Sequence, residues 1–116
     1  MKAKVYFSKQ ITPEKVVELY KAVGLELPGK VAVKVHSGEP GNQKFWQPMV
    51  ETVHGTIVEC NTAYPGERNT TDAHRRTMIK HGWSKLFDVD ILDAEGPDLE
   101  LPIPNGKRIQ KNLVGK

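Results

Sequence analysis

Three short β-branched runs, "VAVKV" at 31–35, "GTIVEC" at 55–60 and "FDVDILDA" at 87–94, alternate with stretches that carry helix signals, and this constrains the chain more than any other feature. Strands separated by helices and joined by short loops specify an α/β fold, with a mostly parallel sheet flanked by helices. The helix signals are explicit. In "ITPEKVVELYKAVG", Thr12 is placed as an N-cap, Pro13 at the first helical position and Gly24 at the end. Val16, Leu19, Tyr20 and Val23 recur at helical spacing and are expected to face the core. "FWQPMVETV" reads as a short helix, and "TTDAHRRTMIKHG" as a third, capped by Thr70 or Thr71 and stopped by Gly82. Before the first helix, "KAKVYFS" has strand composition. Near the end, "LELPIPNGKRIQKNLV" reads as a C-terminal β-hairpin turning at Asn105 and Gly106, its prolines placing it at an edge.

With 116 residues, and no repeat, low-complexity tract or linker, the chain is read as a single α/β domain over 1–116. Its 38% hydrophobic and 27% charged residues describe a globular protein. No run approaches the roughly 18–20 apolar residues of a membrane span, and the first residues lack the apolar core of a secretory signal, so a cytoplasmic location is expected. The single Cys60 cannot form an internal disulfide or supply an iron-sulfur cluster alone, so any metal needs His and carboxylate ligands. Much of the net charge of +3 sits in "KRIQKNLVGK", a short way after the acidic "DVDILDAEGPDLE". Adjacent blocks of opposite sign speak against a nucleic-acid partner, which requires a continuous basic face.

In open parallel sheets ligands bind beyond the carboxyl ends of the strands, where loops gather and helix N-termini present unpaired N–H groups. The glycine-bearing polar segments of this chain follow strands: "HSGEPGN", "NTAYPGERNTT" and "DAEGPD". Parallel strands would bring all three to one rim, so that His36, Glu39, Asn61, Thr62, Tyr64, Arg68 and Asp93 line a common cleft.

The stretches "VAVKVHSGEPGN" and "ECNTAYPGERNTTDAHRRTMIKHGW" resemble the two signature segments of the N-terminal part of the domain of unknown function 362 family. The motif K-V-H-x-G-E-x-G falls on Lys34, His36, Gly38, Glu39 and Gly41, and N-T-x-Y-x-G-x-R with a downstream His on Asn61, Thr62, Tyr64, Gly66, Arg68 and His74. Many members resemble iron-sulfur proteins with a ferredoxin-like cysteine cluster, so the resemblance implies an iron-sulfur-associated oxidoreductase. This chain has no such cluster, and it is expected to be a truncated or shortened form of the family domain.

Each residue also admits a structural role. Lys34 either points to solvent or is paired with Glu59 or Asp93, and Arg68 either binds an anion or pairs with Glu67 or Asp72. Gly38 and Gly41 suit a turn, or the close approach of a ligand. No Walker or dinucleotide fingerprint and no nucleophilic triad is present, and Cys60 at a strand end is expected to be buried. His74 and His81 lie seven residues apart, about 10 Å along a helix axis, so a compact site does not use both. His81 suits the helix C-terminus as a cation. His36, Glu39 and His74 form the candidate ligand set for a divalent metal. Catalytic candidates are His36, Glu39, Tyr64 and His74; candidates for a small anionic ligand are Lys34, Gly38, Asn61, Thr62, Arg68 and Asp93. Two functions follow: an enzymatic anion or metal site at the strand ends, or a non-catalytic binding or assembly domain whose polar rim is completed by another chain, as a homo-oligomer or with a missing C-terminal half.

Overall fold

The computed structural model describes residues 2–94, 99–107 and 113–115. Its elements run α1 (Pro13–Val23), β1 (Val31–Lys34), α2 (Gln43–Val53), β2 (Gly55–Glu59), α3 (Thr71–Lys80), α4 (Trp83–Leu86), β3 (Val89–Ile91), β4 (Leu99–Leu101) and β5 (Leu113–Gly115). β1, β2 and β3 form a parallel sheet in that order, so the expected α/β architecture is present. Val33, Ile57 and Val89 lie side by side in register, as do Lys34, Val58 and Asp90. Because side chains alternate along a strand, these two rows face opposite sides of the sheet.

The first row is the core face. Ile57 is fully buried and clusters with Val35, Val50, Met78 and Trp83, against which Val33, Trp46, Phe87 and Val89 pack. The opposite face carries an open groove of about 450 Å³ lined by Ala32, Thr56, Val58 and Asp90. Gly55 enters β2 where a side chain would not fit, since a Cβ there would lie 2.6 Å from the Val33 methyl.

The helix caps form as expected. Thr12 accepts from the Lys15 N–H with Pro13 at the first position, Gly24 adopts a left-handed conformation, and Thr70 accepts from the Ala73 N–H. α4 has no forerunner in the sequence reading. It begins directly after Gly82, itself left-handed with φ 81°, and its first residue, Trp83, is buried in the core.

Two expectations are corrected. Residues 2–8 form no strand; Val5 is 88% exposed and Phe7 79%, because the segment has no neighbouring strand to complete its hydrogen bonds. In α1 no residue is fully buried: Val16, Leu19 and Tyr20 are half-buried, and Val23 is 56% exposed. The helix packs chiefly on α2, so its apolar stripe is only partly covered. β4 and β5 pair antiparallel in a separate ladder; part of the chain between them, residues 108–112, lies outside the described residues, as do residues 95–98 of "DAEGPD". No described helix is long and apolar enough to cross a membrane.

Candidate functional site

At the C-terminal ends of β1 and β2 a carboxylate is buried among its partners. Glu59, the last residue of β2, is 4% exposed. Its Oε1 lies 2.5 Å from the Lys34 Nζ, and its Oε2 lies 3.3 Å from the Arg68 Nη1 and accepts from the Ser37 N–H at 3.1 Å. Burial by itself pushes a carboxyl pKa up, but the Lys34 ammonium and the N–H of Ser37 outweigh it and hold Glu59 below its usual value. The sequence left the partner of Lys34 open between Glu59 and Asp93; it is Glu59. The expected surface pairs of Arg68 with Glu67 or Asp72 do not form, because the guanidinium, 13% exposed, turns inward to Glu59.

Arg68 is returned to β1 by its loop. Thr62 donates its N–H to the Arg68 carbonyl at 2.8 Å, closing the segment that contains Tyr64 and Gly66. The guanidinium then lies against Gly38, where a Cβ would sit 3.1 Å from three of its atoms. Gly38 is thus where the two segments meet, and a larger residue displaces the arginine.

Beneath this lies a buried polar chain. Ser37 and His74 are both 0% exposed, with the Ser37 Oγ 2.8 Å from His74 Nε2 and His74 Nδ1 3.2 Å from Asn61 Oδ1. Asn61 donates its side-chain N–H to Thr71 and its backbone N–H to the Asp93 carboxylate. With Asn61 Oδ1 an acceptor, the network assigns the proton of a neutral His74 to Nδ1, and the Ser37 hydroxyl donates to Nε2. Burial pushes the His74 pKa down, partly opposed by Glu59, so the neutral form is favoured. The Ser37 Oγ also lies 3.3 Å from Glu59 Oε2, so the hydroxyl can turn to the carboxylate when His74 is protonated. Chemically, the chain can accept or release a proton between His74 and Glu59 without exposing either.

The expected metal trio is not brought together. His74 has both ring nitrogens engaged in the interior, whereas His36 and Glu39 are exposed. Among the described residues no three His, Cys, Asp or Glu side chains are grouped to hold a metal ion. Nor do the residues fit the iron-sulfur cluster implied by the family resemblance. Cys60 is the sole cysteine, and its thiol pKa is raised by partial burial and by Asp93 and Glu59, which disfavours the thiolate a cluster ligand needs. Cys60 is exposed, not buried as its strand-end position suggested.

Above the buried chain the remaining candidates form a rim. His36, Gly38, Thr62, Tyr64 and Arg68 line an open cavity of about 340 Å³ together with the carboxylates of Glu39 and Glu67, and Tyr64 is largely exposed. His36 and Glu39 are shared with a second cavity of about 290 Å³ that reaches Lys34, Trp46 and Trp83. Asn61 and His74 stand below as supports, while Asp93, itself exposed, accepts from the Asn61 backbone N–H.

Sequence reasoning placed Trp83 as a plug at the end of the third helix, and it is buried there, but it overlooked Ser37 and the contacts of His81. His81 closes α3 by donating its Nδ1–H to the Ser37 carbonyl at 2.8 Å, while its own carbonyl accepts from Gln43. Rather than serving only as a helix-end cation, it ties three elements together. One signal was available for Glu59, a lone charge closing an otherwise apolar strand; a serine in a turn carries none. No family model, characterised protein or solved structure matches this chain.

Proposed function

We propose that the chain is a binding domain for a small anion, such as a carboxylate or phosphate, held at the C-terminal edge of the parallel sheet against Arg68. The observation that carries this reading is the convergence of two cations, Lys34 and Arg68, on the single buried carboxylate of Glu59. Glu39 and Glu67 also line the adjoining cavity, Glu67 paired with Lys80, so the cationic character of the site resides in the Arg68 guanidinium at the wall shared with His36, Gly38, Thr62 and Tyr64. Arg68 spends one nitrogen on Glu59, and its remaining N–H groups have no partner among the described residues. A guanidinium fixed in place on one side and open on the other is suited to bidentate binding of a carboxylate or phosphate.

Thermal unfolding in the presence of phosphate or acetate, with chloride at matched ionic strength, tests the reading. A ligand at 100 times its Kd adds about 2.7 kcal/mol, which raises the melting temperature by several degrees. The rise is expected in the unaltered chain and lost in Arg68→Gln. Melting temperatures indifferent to every anion, or rising equally in Arg68→Gln, reject it.

A second reading, an assembly domain whose rim another chain completes, is favoured by the open groove over Ala32, Thr56 and Val58 on the sheet face opposite the core. Light scattering after size exclusion decides it, since a strict monomer at high concentration counts against assembly.

A further inference from the structure

One segment of the chain has the composition of a strand and no neighbour, and one strand of the sheet has an open edge. Residues 2–7 are all exposed, and they alternate: in an extended strand Ala3, Val5 and Phe7 share one face, Lys2, Lys4 and Tyr6 the other. Among the described residues β3 pairs with β2 alone. The Asp88 carbonyl accepts from the Ile57 N–H, and the Leu92 N–H donates to the Glu59 carbonyl. Residues 88, 90 and 92 therefore bond toward β2, and the backbone groups of Val89 and Ile91 turn outward. An edge of this kind is a template for another strand.

The two sides of that edge match the two faces of the segment. On the helix side, a cavity of about 110 Å³ is lined by Met78, Val89, Ile91 and Ala94 together with the polar Arg75, Ser84 and Asp90. It is too small for a separate ligand and of a size to take one aliphatic side chain. On the opposite side Asp88 is exposed and Leu92 lines the open groove. Charge agrees, since the segment carries Lys2, Lys4 and Lys9, while Asp88, Asp90 and Asp93 lie in and beside β3. The other edge strand, β1, is bordered by Lys30 and ends in Lys34, which repel a basic strand.

We propose that residues 3–8 of a second copy of this chain add as a strand to the outer edge of β3, with Val5 at the helix-side cavity and Lys4 on the side of Asp88. Within one chain the segment is rooted by α1 on α2 and leaves that edge open, so the occupant is the segment of another copy. Reciprocal exchange between two chains closes a twofold dimer. The inference rests on the assembly reading above and names its partner.

Light scattering after size exclusion, over a dilution series, is expected to show a dimer for the unaltered chain. Val5→Pro, which removes a ladder donor, and Phe7→Asp are each expected to raise the dissociation constant about tenfold or more. Both positions are exposed within the chain, so an unchanged circular dichroism spectrum is expected in each. Lys4→Glu and Asp88→Lys should each weaken the dimer about fivefold, and together recover most of that loss. In a mixture of ¹³C-labelled and unlabelled chains, isotope-filtered NOEs should join Val5 to Val89 and Ile91 across copies. A dimer that is unaffected by Val5→Pro and Phe7→Asp, or that lacks these contacts between copies, overturns this inference and leaves the assembly reading standing. A strict monomer at high concentration overturns both.

Discussion

Two histidines mark two different regions of the same edge. His74 lies in the buried chain with Ser37 below the rim, both ring nitrogens engaged and no exposed surface. His36, on the rim, is exposed and has no hydrogen-bond partner among the described residues. The buried chain is thereby committed to the fold: Glu59, Ser37, His74 and Asn61 hold β1, β2 and α3 in register and aim Arg68. The rim is left uncommitted, as a surface that meets a ligand must be. Residue type did not distinguish the two histidines; the elements packed over them did.

If this division is right, substitutions in the two regions separate stability from binding. The largest effect is expected beside and within the buried chain. Ile57→Ala removes a fully buried side chain from the core, and chemical denaturation should show a loss of about 3–4 kcal/mol. Glu59→Ala leaves Arg68 and the Ser37 N–H without their acceptor, and the same measurement should show a loss on the order of 3 kcal/mol, moderated because Lys34 is largely solvated. Either variant behaving like the unaltered chain would place the core elsewhere.

Acid should act through the same chain. The pKa of His74 is depressed in the folded state, so its contribution is complete above the unfolded value of about 6.5 and is lost as the pH falls below it, when the unfolded chain takes up a proton first. Glu59 is also depressed, so its contribution is present above about 4.5 and is lost as the pH falls through the folded value. Melting temperatures recorded against pH should therefore decline in two stages, and His74→Gln should flatten the first.

Gly38→Ala tests the seam between the regions. The new methyl group meets the guanidinium at 3.1 Å, so Arg68 must shift; stability should fall by about 1 kcal/mol or less while anion affinity falls several-fold. The smallest effect belongs to the rim, where His36→Ala and Tyr64→Ala should alter unfolding free energy by no more than about 0.5 kcal/mol. A large loss in either would dissolve the distinction.

The legible parts of the fold were those written locally. Thr12, Pro13 and Gly24 bound α1, and Thr70 caps α3, because a cap is decided by a few neighbouring residues. "GTIVE" is a strand because helices on both sides in sequence return the chain beside β1 and β3. "KAKVYFS" has equally strong strand composition and forms none, since composition proposes a strand and only a neighbour completes it. At the site, the strand-end argument correctly separates a polar edge from an apolar core, but spacing cannot say which polar side chains turn inward. Arg68 could have met Glu67 one residue away; it meets Glu59, nine residues back, because Thr62 closes the loop and Gly38 leaves room. Ser37 was invisible for the same reason, its importance arising from Glu59 and His74, 22 and 37 residues away.

The most direct test of the proposed anion site is a two-dimensional ¹H–¹⁵N NMR titration of the unaltered chain with inorganic phosphate at constant ionic strength. Saturable shifts are predicted at the amides of Gly38 and Thr62 and at the Arg68 Nε–H, and these should be abolished in Arg68→Gln. Shifts that never saturate, or that gather away from the ends of β1 and β2, would contradict it.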